Sequence, residues 1–545
     1  MMLRFSVLTL ALLLAACGGD DAPAPPPGTP EVMADGGYVL RKGNGGEPES
    51  LDPHRAQSVG SSNVLRDMYE GLVAEAPDGA LIPGAAEGWE ISEDGRVYIF
   101  DLRPAARWSN GDPVTADDFV FSLRRAVDPQ TASSYAEILA PIEHASQIIS
   151  GEMKPDRLGV RALGPHRLQI TLKAPTPYFL GMLTHSMAYP VHPSSVLEHG
   201  DEFVKPGKHV SNGAYVITEW EVSGHILLKR NPQYWDDANT RIEYVKLLPI
   251  DNAESEHKRY LAGELDWTGS VPQSRLTWAK KQLPDQYFEH PYLGIYYYGL
   301  NVTQPPFKDN PKLRRALSLA IDRDIIVTKA TRGGEIPTMN WVPPGVLNYT
   351  GQVPDIALQP REAQIAEAKR LYAEAGYGPD NAPDITIRYN TSEGHKDIAT
   401  VVAAFWKSVL GIKVTLINEE WKVFLQNVQQ KKTQAYRAGW IGDYNDANTF
   451  LELMGSKFKI NGTGYHNPEY DRLLAEASLE TDEQVRRELL QEAERLLLQD
   501  QAVIPIYFYV NKSLVKPWVK GMVGNIMDHH YSKNLWIESR ESPSP

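Results

Sequence analysis

Tyr436 to Asn448 reads Y-R-A-G-W-I-G-D-Y-N-D-A-N and follows a helix-like run from Glu420 to Lys432. Gly439 and Gly442 let another backbone come close. Trp440 offers a large flat wall. Asp443 is a fixed anion suited to an amine, and Arg437 a fixed cation suited to a carboxylate. Together they predict a seat for an extended peptide, main chain against main chain, with charges for its ends. The plainer reading of the same residues is a strand-to-turn connection with a solvated Asp443 and a core Trp440.

The rest of the chain bounds what that stretch can belong to. At 545 residues it exceeds one core and fits two or three domains. Apolar residues at 42% and charged residues at 23% fit a globular protein. A net charge of -14 speaks against nucleic acid as a partner. No stretch beyond the N-terminus holds about 18 consecutive apolar residues.

The N-terminus has Arg4, an apolar run from Phe5 to Leu14, and then Leu14-Ala15-Ala16-Cys17. This predicts a secretory leader over residues 1–16. Cys17 is the only cysteine, so no intramolecular disulfide can form. Residues 17–31, rich in Pro, Ala, Gly and Asp, predict a semi-rigid tether that buries too little to fold.

Further on, Val97 to Leu102 predicts a strand buried on both faces or at an edge, after an Asp94-Gly95 turn. Thr115 and Asp118 form a capping box ahead of a helix presenting Phe119, Leu123 and Ala126 on one face. Gly213 to Arg230 predicts a hairpin with Val216, Ile226 and Leu228 inward. Tyr292 to Asn301 and Pro505 to Val510 are strands. Asn310 with Pro311 opens a helix. From Glu362 to Asn418 helices and strands alternate, as in an α/β lobe. Thr481 is the expected cap of a long helix with Val485, Leu489, Ala493 and Leu496 inward.

An ordered series of motifs runs through this pattern: S-L-D-P-H (Ser50 to His54), W-E…F-D-L-R…W-S-N-G-D-P-V-T-A-D-D-F (Trp89 to Phe119) and S-N-G-A-Y (Ser211 to Tyr215). It continues with P-Y-L-G-I-Y-Y-Y (Pro291 to Tyr298), D-R-D-I-I-V (Asp322 to Val327), A-G-W-I-G-D-Y-N and Y-F-Y-V-N-K-S-L-V-K-P-W (Tyr507 to Trp518). From about Tyr38 to Ile537 the chain resembles the family 5 extracellular solute-binding proteins of ABC importers, and most of all its oligopeptide-binding members.

The resemblance implies an α/β, type II periplasmic-binding-protein-like fold: two α/β lobes plus an extra inserted lobe, hinge-linked by two crossing strands near Tyr292–Asn301 and Pro505–Asn511. It implies a first lobe from 32–69, 194–294 and 511–545, a second from 70–193 and a third from 295–510. It makes Leu14–Cys17 a bacterial lipoprotein box, with Cys17 diacylglyceryl-modified and the protein anchored in the cell envelope. Carried over by residue, Asp443 meets the peptide α-amine. Val59, Gly439 and Ile441 pair with the main chain, and Tyr135, Trp421, Trp440 and Tyr509 wall the pockets. Arg437 and His395 are cations for peptide C-termini. The implied partners are an oligopeptide and an ABC permease, with the protein itself a monomer.

Three positions depart from the family pattern. Gln57 stands for a glutamate, Val428 for an arginine, and Thr331, beside Arg332, for a lysine that meets C-termini. The last two keep murein-derived peptides open as ligands. An enzyme is not expected: the chain has no G-x-S-x-G, H-E-x-x-H or Walker A motif, and no cofactor or metal is implied. Asp117-Asp118 and His529-His530 read as solvated surface. A lipid-anchored chaperone without transport would use the same surface without ligand-triggered closure.

Overall fold

The computed structural model describes residues 29–458 and 460–538, less the side chains of Glu393 and Lys422. Cys17, the leader and the tether up to residue 28 lie outside the described residues. Glu31, expected at the tether's end, already lies in a strand, opposite Val39.

Three sheets organise the chain. A five-stranded sheet runs in the order Glu31–Val32, Tyr38–Gly43, Tyr244–Leu248, His225–Arg230, Tyr215–Glu221. Its core adds Trp518 and Leu535 from the C-terminal segment. A four-stranded antiparallel sheet, Ala86–Ile91, Val97–Leu102, Arg167–Thr171, Val160–Gly164, packs with the helix Ala116–Val127. A six-stranded sheet carries Ile336–Pro337, Val503–Leu514, Tyr287–Leu300, Ala435–Ile441, Ile385–Asn390 and Val414–Glu419, with an apolar core on each face.

Several local readings shift. Val97–Leu102 is an interior strand buried on one face, through Tyr98, Phe100 and Leu102. The long helix Glu483–Asp500 is capped by Asp482, not Thr481: its carboxylate accepts the N–H groups of Gln484 and Val485. On its inward face Ala493 is buried as expected, with Leu490 and Leu497 beside it, while Val485 in the first turn is exposed. Tyr215 and Ile217 point into the hairpin's core, which turns Val216 outward.

Two long strands, Tyr287–Leu300 and Val503–Leu514, form the spine between sheets. They pair antiparallel from Tyr287↔Leu514 to Gly299↔Val503, with register shifts between Pro291 and Ile295 and between Tyr296 and Tyr297. Past their outer end, Trp267 bridges to both Val515 and Lys42, reaching the five-stranded sheet. The loop after Ala435–Ile441 reaches the other way. Tyr444 is buried in the core of the four-stranded region, its ring stacked on Tyr178 at 5.1 Å and 4°. Among the described residues, no helix is long and apolar enough to cross a membrane.

Candidate functional site

Where the three regions meet, a cavity of about 230 Å³ opens, lined by Val59, Tyr135, Trp440, Ile441 and Asp443 among others. A larger cleft of about 960 Å³, with Asp322, Met339 and Arg361 on its walls, touches none of the expected residues. The smaller cavity is therefore the one that matters here.

Asp443 occupies the turn after the strand Ala435–Ile441. Its N–H donates to Thr449 Oγ1 at 3.3 Å. Among the described residues nothing donates to its carboxylate. Burial alone pushes its pKa up to about 7. Close by, burial likewise lifts Glu452 to about 7, although Tyr444 Oη and Asn448 Nδ2 donate to it at 2.9 and 3.0 Å. Asp446 is paired, bidentate, with Arg486 at 2.7–2.8 Å. Asp443 is the carboxylate of this loop left without a partner. It is not the solvated aspartate of the plainer reading.

The strand leading to it has one open edge. Along its whole length, Ala435 to Ile441 pairs with Leu300 to Gly294. On the other side its partner Ile385–Asn390 stops at Arg388↔Tyr436. At the two ends Asn301 donates to Gln434 O and Gly442 donates to Leu293 O. Even-numbered residues thus turn their N–H and C=O groups to the spine, and the alternation turns those of Gly439 and Ile441, with the Arg437 C=O, to the open edge; the Arg437 N–H still belongs to the last rung with Arg388. Gly439 is exposed. A Cβ there would sit 2.7 Å from Tyr509 Oη, so glycine lets the tyrosine lie across the strand. Trp440 faces the other side. It donates to Thr449 Oγ1 at 3.4 Å, packs on Phe458 and still reaches the cavity.

Val59 begins the helix Val59–Met68 and is exposed to the cavity. Gln57 and Ser58 before it donate their N–H groups to Glu49, an acid the sequence reading did not single out. The signal lay in the eight- and nine-residue spacing back to E-S-L-D-P-H-R. Tyr135 stacks on His185 at 5.5 Å.

A second group gathers at the other end of the edge. Arg437 Nη1 donates to Asn390 Oδ1 at 3.1 Å and Nη2 to Tyr509 Oη at 3.4 Å, and the guanidinium lies 4.9 Å over Tyr296. Its Nε has no hydrogen-bond partner, and among the described residues no carboxylate pairs with it. His395 stands beside it, 3.4 Å from Tyr296 Oη. Burial and then Arg437 push the imidazole down to about 3, so His395 is neutral here, not the cation expected.

Other expected residues fall elsewhere. Trp421 is 48% exposed and stacks on Phe424; among the described residues no hydrogen bond or ring contact ties it to either group. Thr331 is buried and donates to Glu335, which pairs with Lys512 at 2.6 Å. His529 and His530 are not solvated: they meet Glu75 and Asp528 at 2.6 and 2.9 Å. Asp118 closes the capping box, accepting the Thr115 N–H at 2.8 Å and the Trp108 indole N–H at 3.1 Å.

Comparison with known proteins gives this geometry a context. Residues 80–462 match the model of bacterial extracellular solute-binding proteins, family 5. The chain is 41% identical over 503 residues to the periplasmic oligopeptide-binding protein OppA of Escherichia coli, covering 92% of each. The structure of the Escherichia coli murein tripeptide binding protein MppA superposes with a TM-score of 0.82 at 39% identity, covering 92% of this chain and 98% of that one. Haemophilus influenzae OppA in complex with the peptide RPPGFSPFR superposes with a TM-score of 0.80 at 39% identity, over 92% and 98% of the two chains. The fold is the α/β, type II periplasmic-binding-protein-like one, its spine the two crossing strands, and the chain belongs to family 5 of the bacterial extracellular solute-binding proteins.

Proposed function

We propose that the protein captures oligopeptides for an ABC importer, holding the peptide main chain along the open edge at Arg437–Ile441 and its α-ammonium at Asp443. The observation that carries this reading is the conjunction of the two: a half-buried carboxylate with no donor among the described residues, at the end of a strand whose N–H and C=O groups at Gly439 and Ile441 face no neighbouring strand. A peptide supplies both complements at once. Its main chain is common to all peptides, so breadth follows from reading it.

In this reading Val59 pairs with the main chain as well, Tyr135, Trp440 and Tyr509 wall the side-chain pockets, and Arg437 meets the α-carboxylate. His395 joins it by taking up a proton when that carboxylate approaches, since a nearby anion raises an imidazole pKa. The lobes span roughly 32–69, 194–294 and 511–545; 70–193; and 295–510. The protein acts as a monomer without catalysis, anchored in the periplasm through lipid on Cys17, and delivers its ligand to the permease. A ligand without a normal α-carboxylate, such as a murein-derived peptide, is the second reading. Val428 and the bonded Thr331 favour it, because neither position offers a cation.

The test is a double cycle by calorimetry. Asp443→Asn and N-acetylation of the peptide should each cost about 2–5 kcal/mol, roughly 30- to 5000-fold in affinity. Combined, they should cost far less than the sum. Full additivity, or wild-type affinity in Asp443→Asn, would mean that the amine is held elsewhere.

A further inference from the structure

Below the cavity, three side chains converge that the peptide reading does not use. His290 lies on the spine strand Tyr287–Leu300; Asp528 and His530 lie on the C-terminal segment. The Nε2 atoms of His290 and His530 stand 3.0 and 2.9 Å from the same oxygen, Asp528 Oδ1. One potential donor atom from each of the three falls within 4.8 Å of the others. We propose that His290, Asp528 and His530 form a binding site for a divalent transition-metal ion, of the zinc, nickel or copper type, at the floor of the cavity.

Two imidazoles and one carboxylate are the donor set such ions prefer, whereas calcium and magnesium take oxygen ligands. With bonds of about 2.0–2.2 Å, the ligand atoms of a tetrahedral site lie about 3.3 Å apart. The two N···O separations need to widen by only a few tenths of an ångström. Each ring must carry its proton on Nδ1 so that Nε2 offers a lone pair. Gly524 leaves that side of His290 clear: a Cβ there would come within 2.9–3.2 Å of the His290 side chain, Nδ1 included.

The scaffold is already built. Asn525 holds the turn by accepting the His529 N–H at 3.2 Å and donating to His529 O at 3.0 Å. His530 packs on Trp267 at 5.0 Å and on His290 at 5.8 Å. Three protein ligands leave one position open, as in sites that exchange a bound molecule. Of the three, Asp528 lines the same cavity as Asp443, which places the site next to the space a captured ligand would fill. Lys42, 5.1 Å over the Trp267 ring, opposes added positive charge. Affinity therefore rests on the imidazole bonds and selects ions that favour nitrogen.

This inference stands apart from the peptide reading and is tested without peptide. Untagged full-length protein, stripped with a chelator, is titrated with zinc chloride by calorimetry and with cobalt chloride by absorption. The expected result is one zinc ion per chain and a visible cobalt band from nitrogen-ligated, low-coordinate metal. His530→Gln, which keeps an amide near Asp528, and Asp528→Asn should weaken zinc at least 10- to 100-fold, the loss typical of even outer-shell partners. His225→Ala should leave it unchanged. His225 pairs with Glu219 and Glu221 at 3.0 and 3.4 Å and represents surface binding. Independently of any variant, zinc should protect His290 and His530 of the wild-type protein from carbethoxylation, read by mass spectrometry. Absence of stoichiometric uptake, equal affinity in the variants, or unprotected rings would show a hydrogen-bonded structural triad and overturn the proposal.

Discussion

Asp443 is in tension with its own fold. Its pKa moves from the ordinary 3.8 up to about 7 on burial, and that of Glu452 from 4.5 to about 7. Below pH about 4 both groups are protonated in folded and unfolded chains alike. Between there and 7 only the folded chain keeps the protons, so the stability of the ligand-free protein falls as pH rises from about 4 to about 7 and is level above that. Asp443→Asn should therefore raise the melting temperature of the ligand-free protein at pH 8 and change it little at pH 4. Scanning calorimetry checks this, and an equal shift at both values would rule out the titration as the cause. The same residue predicts that affinity for a free-amine peptide drops as pH falls below about 7, while that for its N-acetylated form stays flat. The destabilised carboxylate and the binding carboxylate are one group, and an arriving ammonium relieves the cost.

At the scale of elements, the open edge predicts which ligand amides matter. Leaving a buried hydrogen-bonding group unpaired costs about 1–3 kcal/mol. A peptide N-methylated at the amide facing Gly439 or Ile441 should thus lose roughly tenfold in affinity or more. One methylated at the intervening amide should lose little. Equal losses at every position would argue against strand pairing. The alternation at Arg437, Gly439 and Ile441 is visible in the sequence, as is the break at Gly442. What is not visible is that Ile385–Asn390 stops pairing at Tyr436, since that depends on where two distant segments of the six-stranded sheet diverge. The same limit explains the other shifts. Local periodicity puts Val485 and Val216 on the inward face, but Val485 sits in an exposed first turn and Tyr215 and Ile217 fill the hairpin core. His529 and His530 look like a surface pair until the C-terminal segment is laid against Glu75 and His290, over 200 residues away in sequence. His395 reads as a cation until Arg437 is placed beside it.

For the whole molecule, the spine and the loop Asp443–Asn448 divide the labour of opening. The register shift between Pro291 and Ile295 interrupts the ladder at mid-span, a place where the strands can bend without losing paired hydrogen bonds. Tyr444, stacked on Tyr178, spans from the six-stranded to the four-stranded region. Small-angle scattering should show a smaller radius of gyration with saturating tri- to pentapeptide than without; an unchanged profile would favour the static chaperone reading. Tyr178→Ala should speed peptide dissociation more than it slows association, as most interface changes act on the off-rate. Stopped-flow displacement measures both. The strand edge carries a further consequence. Its hydrogen-bonding groups repeat identically every second residue, so by themselves they give a bound chain no phase: a ligand shifted by two residues satisfies them equally. Asp443 supplies the origin of that lattice. Masking the ligand's amine should therefore scatter it over several frames as well as weaken it, and a single defined pose should dissolve into a degenerate set.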